Sequence, residues 1–170
     1  SAREVCSERA APLVGNHARI LLPLIETVLG DGGVGLEDID LLAVSIGPGS
    51  FTGLRIGLSV AKGLALAAGR PILGVPTLEA YARAAGPRTG VVCPVLDARK
   101  GEVYGAIFRW VGDELACQAP GMAVTPEQFA ARIEGPCTLL GEGVDAYADL
   151  WAERLGARAE HSPDGATGGE

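Results

Sequence analysis

The fold is decided by the stretch from Ser45 to Gly69, which reads S-I-G-P-G-S-F-T-G-L-R-I-G-L-S-V-A-K-G-L-A-L-A-A-G. A short apolar run, Leu41 to Ile46, enters the turn Gly47-Pro48-Gly49, and a long helix with almost no charge follows. After this helix, the run from Ile72 to Val75 predicts a second buried strand. A strand, a crossover helix and a strand in this order indicate a parallel pair with a right-handed connection.

The crossover helix carries small residues at every fourth position, which form a stripe without large side chains. A helix that is apolar nearly all round is buried on more than one side. We therefore expect this helix to be covered on more than one side. The stripe consists of Gly53, Gly57 and Ala61, and Leu54, Leu58 and Leu64 lie beside it.

The glycine-rich turn before this helix allows two interpretations. Free amides and the positive end of the helix dipole at Gly47, Gly49 and Ser50 would attract an anion. However, the turn matches neither the P-loop pattern with its lysine nor the pattern G-x-G-x-x-G. The favoured interpretation is a tight strand-to-helix turn in which Ser50 or Thr52 caps the helix.

Composition limits the classes of function. The chain has 14 Lys and Arg against 21 Asp and Glu, a formal net charge of −7, and no basic run. This argues against direct binding of a nucleic-acid backbone, which needs clustered cations. Its four cysteines show no C-x-x-C spacing, which favours the reducing cytoplasm. The most apolar segment, 56–68, is interrupted by Lys62 and falls short of the ~20 residues of a membrane span, so we expect none.

The remaining pattern predicts two α/β lobes, residues 1–88 and 89–170. The first lobe begins with a weak strand at 2–9 and a helix over 12–29 that Pro23 kinks or interrupts. The second is a hairpin-rich sheet followed by helices, with one aromatic strand face formed by Tyr104, Phe108 and Trp110 and a polar tail from 159 that frays. Strands are predicted at 91–96, 102–111, 114–118 and 137–140, and helices at 78–85, 126–133 and 144–155.

Residues that could carry chemistry are few. His17 is one of two histidines, and the position one helical turn later is Leu21, so a metal site is not supported. Asp97, at a strand end, could orient a metal or phosphate, or it could satisfy the amides of a turn. No set of nucleophile, base and oxyanion hole is recognisable, so the residues alone indicate a binding or scaffolding module.

Four blocks of the sequence together resemble the TsaB (YeaZ) family, a bacterial subunit of the machinery that makes threonylcarbamoyladenosine at position 37 of tRNA. The blocks are Asn16–Ile25, Ser45–Ala65, Pro71–Ala80 and Leu96–Tyr104. The resemblance implies a two-lobed actin/Hsp70-like (ASKHA, ribonuclease H-like) α/β fold. It also implies that the first strands of that fold and its C-terminal end are missing from this chain.

The resemblance further implies a non-catalytic subunit that supports a TsaD-like catalytic paralogue, with a TsaE-like ATPase as a further partner. It implies a homodimer in isolation, contact with tRNA only through the complex, and no metal or cofactor held by this chain alone. ATP or ADP would then sit at an interface of the complex. The alternative is a metallopeptidase-like or nucleotide-hydrolysing ASKHA enzyme that acts alone.

Family dimers are held by the first two helices of the first lobe. Carried onto this sequence, the resemblance predicts an interface on both helices. It comprises His17, Leu21, Leu24, Ile25, Val28, Gly53, Leu54, Gly57, Leu58 and Ala61.

Overall fold

The computed structural model describes residues 5–11 and 17–162, which form two compact units. The first unit extends to Val75 and the second begins at Pro76. The division lies earlier in the chain than the predicted boundary at residue 88. The reason is that helix α3, Thr77–Ala84, packs on strands of the second unit.

The first unit confirms the predicted strand, crossover helix and strand. Leu42 N–H donates a hydrogen bond to Pro71 O at 3.1 Å, and a side chain at Gly74 would collide with Ile46. The first residues of the two strands are therefore neighbours, and the strands run in the same direction. The elements are α1, His17–Gly32; a 3-10 turn, Leu36–Asp38; β1, Leu42–Gly47; α2, Phe51–Ala68; and β2, Ile72–Pro76.

Helix α1 continues through Pro23, so the break expected there is not observed. The Thr27 hydroxyl donates to Pro23 O at 2.8 Å. The helix ends at Gly32, three residues beyond the predicted end, and Gly33 follows in the left-handed region at φ 65°. Residues 12–16 of the predicted helix and 2–4 of the predicted strand lie outside the described residues, and 5–9 form no strand.

The second unit is built on a five-stranded sheet in the order β5-β4-β3-β6-β7. Strands β5, β4 and β3 are antiparallel neighbours, and β6 and β7 continue the sheet in parallel to β3. This arrangement confirms the predicted ribonuclease H-like class. The strands are β3, Val91–Arg99; β4, Glu102–Val111; β5, Glu114–Val124; β6, Cys137–Leu140; and β7, Ala159–His161.

Several predicted elements of this unit differ in extent from the observed ones, including β3, which extends to Arg99, and the helix predicted at 126–133, which ends at Ala130. The final helix is divided at Tyr147, whose backbone leaves the helical region at φ −130° and ψ 32°. The segment from Ala159 to His161 does not fray but pairs with β6, and β5 continues well beyond residue 118. The helices after β5 are α4, Pro126–Ala130; α5, Glu142–Ala146; and α6, Ala148–Leu155.

Each face of the sheet has its own apolar core. On one face, Phe108 packs with Leu78 and Ala82 of α3, and Tyr104 and Trp110 lie against the same cluster. This confirms the predicted aromatic strand face covered by a helix. On the other face, Phe129 of α4, Ile133 just after that helix, and Trp151 and Leu155 of α6 form a cluster with Val103, Ile107 and Leu139.

The second core contains an edge-to-face aromatic pair. The rings of Phe129 and Trp151 lie 6.4 Å apart at 84°, and both side chains are fully buried. Beneath them, Gly105 of β4 has no side chain because the Phe129 ring occupies the space that a Cβ would fill. The sheet and helix α4 therefore approach each other closely at this point.

Replacing Phe129 by Ala should lower the free energy of unfolding of the second unit by about 3–5 kcal/mol, because it leaves a cavity beside Trp151. Val111→Ala is the control, since Val111 is 62% exposed and its loss should change stability by less than about 0.5 kcal/mol. Urea unfolding followed by tryptophan fluorescence measures both. Equal effects of the two variants would contradict this core.

The cysteines should differ sharply in reactivity. Cys93 is fully buried in β3, and burial, reinforced by Cys137, raises the pKa of its thiol, so the reactive thiolate is suppressed. Cys117 on β5 is exposed. We expect iodoacetamide to modify Cys117 in the native protein and Cys93 only after denaturation, as read by peptide mass spectrometry. Rapid native labelling of Cys93 would contradict the packing of β3.

Candidate functional site

The candidate site lies on helices α1 and α2 of the first unit. Between them and β1 is an apolar cavity of about 300 Å³. No polar side chain contributes to its wall. It is lined by Leu21, Ile25 and Leu29 of α1, by Gly57, Val60, Ala61 and Leu64 of α2, and by Leu36, Ile39, Leu42, Ala43 and Val44.

Two of the three residues of the small-residue stripe of α2, Gly57 and Ala61, line this cavity. A Cβ on Gly57 would approach only Val44 Cγ2, at 4.0 Å, so the glycine leaves the cavity open towards β1. Ala61 also lines it, and from α1 so do Leu21 and Ile25. These predicted interface residues are therefore brought together inside the first unit, and a role for them in contact with a second subunit stays a prediction.

The other predicted interface residues are arranged differently. Leu54 lies over the turn, where its Cδ1 would be 3.2 Å from a Cβ on Gly47. Half-buried positions outside the cavity wall are Leu24 and Val28 on α1 and Gly53 and Leu58 on α2. His17 is the first residue of α1, and its side chain lies outside the described part of the structure.

The first unit leaves much of its apolar surface uncovered. Among the described residues, Ala65 is its one buried hydrophobic side chain, whereas the second unit buries a full core. Phe51 is 72% exposed, with the Arg55 guanidinium 5.0 Å above its ring, and Leu66 is 85% exposed. The sequence predicted that α2 is covered in part by a second subunit, but it did not single out Phe51 or Leu66 as exposed residues.

By length and composition alone, α2 is able to cross a membrane, which the sequence estimate for residues 56–68 did not suggest. The fold favours another role for it. The helix leaves the end of β1 and returns to the start of β2, and these strands are hydrogen-bonded neighbours. If α2 crossed a bilayer, β1 and β2, which run back alongside it, would lie in the hydrocarbon region with the open edges of a two-stranded sheet unpaired.

The turn before α2 supports the capping interpretation. Ser50 is the N-cap, and its Oγ accepts a hydrogen bond from Gly53 N–H at 3.3 Å. Gly47 adopts φ 106°, which an L-residue with a side chain adopts only with strain, and a cis peptide bond joins it to Pro48. Ser50 thus already satisfies one amide of the helix start, and anion binding by Gly47, Gly49 and Ser50 stays a prediction.

Asp97 is engaged in its own turn. Its Oδ1 accepts a hydrogen bond from Arg99 N–H at 2.8 Å, and its Oδ2 lies 3.5 Å from Arg99 Nη1. Arg99 and Lys100 both have positive φ, at 67° and 54°, so the carboxylate supports a tight hairpin turn. Within residues 5–11 and 17–162, no three His, Cys, Asp or Glu side chains come together as a metal site would require.

A second cavity, of about 210 Å³, lies in the second unit and was not found from the sequence. Two of its lining residues, Arg109 and Arg132, come from β4 and from the segment after α4. They are distant in sequence and belong to no recognisable motif, so only the fold shows their proximity.

Comparison with known proteins identifies a family with this architecture. A family model described as "TsaD: tRNA N6-adenosine threonylcarbamoyltransferase" matches residues 12–143. The solved structure "YeaZ from Pseudomonas aeruginosa" has a TM-score of 0.68 and 31% sequence identity, and the match covers 88% of this chain and 71% of that one. The chain belongs to the TsaB (YeaZ) family. The predicted ASKHA fold class is confirmed by these matches.

Curated members of the family have similar sequences. The "tRNA threonylcarbamoyladenosine biosynthesis protein TsaB" of Escherichia coli is 38% identical over 148 residues, which cover 81% of this chain and 62% of that protein. The Bacillus subtilis protein of the same name is 29% identical over 168 residues, covering 94% and 73%. The chain thus spans less than two thirds of the Escherichia coli protein.

The capping role of Ser50 gives a direct prediction. Ser50→Ala should destabilise the first unit by about 1 kcal/mol, because Gly53 N–H loses its acceptor, whereas Ser50→Asp retains an acceptor and should remain close to wild type. Thermal unfolding followed by circular dichroism compares them. A Ser50→Asp variant as unstable as Ser50→Ala would contradict the cap.

Proposed function

We propose that this protein is a non-catalytic scaffold subunit in the synthesis of threonylcarbamoyladenosine. It pairs with a TsaD-like catalytic subunit that transfers the threonylcarbamoyl group to adenosine 37 of tRNA. Support for the pathway comes from the names of its relatives in Escherichia coli and Bacillus subtilis. The match to the TsaD family model supports a paralogous partner of similar fold.

The observation that carries the scaffold role is the uncovered apolar surface of the first unit. Phe51 and Leu66 on α2 and Leu22 on α1 are exposed, and the cavity between these helices has an entirely apolar lining. Soluble proteins expose large apolar patches chiefly where another protein binds. The predicted interface on α1 and α2 lies on these helices and would bury their apolar residues against the partner.

Further parts of this proposal follow from the family. A TsaE-like ATPase joins the pair, the protein forms a homodimer in isolation, and tRNA is contacted only through the complex. ATP or ADP binds at an interface of the complex rather than to this chain alone. The net charge of −7 supports indirect contact with tRNA, since a phosphate backbone requires clustered cations. The expected compartment is the cytoplasm.

A second candidate is an enzyme that acts alone. One similar structure, 30% identical with a TM-score of 0.68 over 86% of this chain and 68% of that chain, is described as having "similarity to peptidase YEAZ". Hydrolysis would need an activated nucleophile or a metal-bound water. Metal analysis, peptidase assays and ATPase assays of the purified chain separate the two candidates. Stoichiometric metal with turnover would replace the scaffold proposal.

The interface is tested by placing a charge within it. Leu24→Glu on α1 and Leu58→Glu on α2 should each weaken binding to the TsaD-like subunit at least about tenfold, since a buried carboxylate would have no partner. Thr27→Glu and Ser59→Glu introduce the same charge at exposed polar positions of the same helices, outside the predicted interface, and should bind within about twofold of wild type. Calorimetry and size exclusion with light scattering measure affinity and stoichiometry.

Circular dichroism verifies that each variant is folded. If Leu58→Glu does not fold, Leu58→Ala provides a milder substitution at the same position. Binding by Leu24→Glu and Leu58→Glu equal to that of their controls would exclude this face. Absence of any complex between the wild-type subunits, with and without nucleotide, would overturn the scaffold role itself.

A further inference from the structure

The second cavity lies on the sheet face that carries Ile107 and Arg109, beyond the end of helix α4. Its floor is apolar, because Val91 and Ile107 are almost fully buried there and Ala119 lies beside them. Its rim is polar and exposed. The rim consists of Arg109 on β4, Gln118 on β5, and Arg132 and Glu134 in the segment between α4 and β6.

The two arginines bring positive charge to a chain that is acidic overall. Arg109 is two residues beyond Ile107 on β4, so both side chains are on the same face of the sheet. Among the described residues, neither the Arg109 nor the Arg132 guanidinium has an ion-pair or hydrogen-bond partner. Arginine side chains offer forked N–H donors that match the two oxygens of a carboxylate.

The same rim holds one carboxylate. Glu134 forms no ion pair with either arginine within the described part of the chain, so its charge is not neutralised by them. Gln118 adds an amide that both donates and accepts hydrogen bonds. The cavity therefore offers donors for an anion, an acceptor for a cation and an apolar floor, all within one small volume.

The size of the cavity limits the ligand. Its volume of 210 Å³ exceeds the roughly 150 Å³ of a cavity that holds benzene, but is below the roughly 300 Å³ at which drug-sized ligand sites begin. A small organic molecule fits, and the lining matches one with a carboxylate, an ammonium and a short apolar group. We propose that this cavity binds a free α-amino acid with an apolar side chain.

In this arrangement, Arg109 and Arg132 bind the carboxylate, Glu134 binds the ammonium, and the side chain of the ligand lies over Val91 and Ile107. The site is independent of the proposed interface on the first unit, since all its residues belong to the second. It would make the protein a binder of an amino acid in addition to its scaffold role.

Three probes with the same isobutyl group test the site on the full chain. L-leucine carries both charges, 4-methylpentanoate lacks the ammonium, and 3-methylbutylamine lacks the carboxylate. We expect L-leucine to bind at least about tenfold more tightly than either of the others, with shifts of the Val91 and Ile107 methyl signals in NMR spectra. No methyl shift at millimolar L-leucine would overturn the proposal.

Variants of the lining residues then show which side chain binds the ammonium and which bind the carboxylate. Glu134→Gln should bring L-leucine down to the affinity of 4-methylpentanoate, and the double variant with Arg109→Gln and Arg132→Gln should bring it down to that of 3-methylbutylamine. Since either arginine can still bind the carboxylate when the other is replaced, each single arginine variant should lower the affinity only in part. Arg154→Gln removes an exposed arginine of α6 that does not line the cavity, and should leave all three affinities unchanged. These positions are exposed, so folding should be retained, as circular dichroism verifies. Equal losses with Arg154→Gln, or equal binding of all probes, would refute the site.

Discussion

The second unit depends on the burial of Trp151. This side chain is fully buried, and its Nε1–H must be paired there, because an unpaired buried donor is costly. It donates to Gly143 O at 3.1 Å, which ties α6 to α5, and its ring meets Phe129 of α4 edge to face. Gly143 in turn leaves no room for a side chain beside Val95 of β3. One residue thus holds three short helices against the sheet.

Among the described residues, the first unit has no packed core comparable to the one around Trp151. The longest helix of this unit, α2, is apolar along most of its length. In the part of the chain that the structure describes, however, Ala65 is the one buried hydrophobic side chain of the whole unit. The glycines and alanines of α2 allow close approach, but the space beside them is a cavity rather than a packed core. A unit of this kind gains more from contact with another surface than from its own interior, which agrees with the proposed scaffold role.

Local patterns predicted the local structure well. The strand, turn and helix around Gly47 depend on nearby residues and were recognisable in the sequence. The helix predicted to begin at residue 126 does begin there, where Thr125 and Gln128 exchange hydrogen bonds. Tertiary contacts decided the rest. The backbone at Tyr147 divides a helix whose apolar spacing is continuous, and Ala159–His161 forms a strand because β6 offers an edge. The same limit applies to the site, since spacing placed the stripe of α2 on a helix face but could not show that this face meets β1.

The contact between Gly105 and Phe129 has an evolutionary consequence. The aromatic ring occupies the space above the glycine, so the two positions share one fixed volume although they lie on different elements. A side chain can appear at the first position only where the second has become smaller, because a packed interior does not absorb additional methylenes without strain. Among relatives that keep this sheet and helix, the two positions should therefore change as a pair, and a glycine at the first should accompany a large ring at the second.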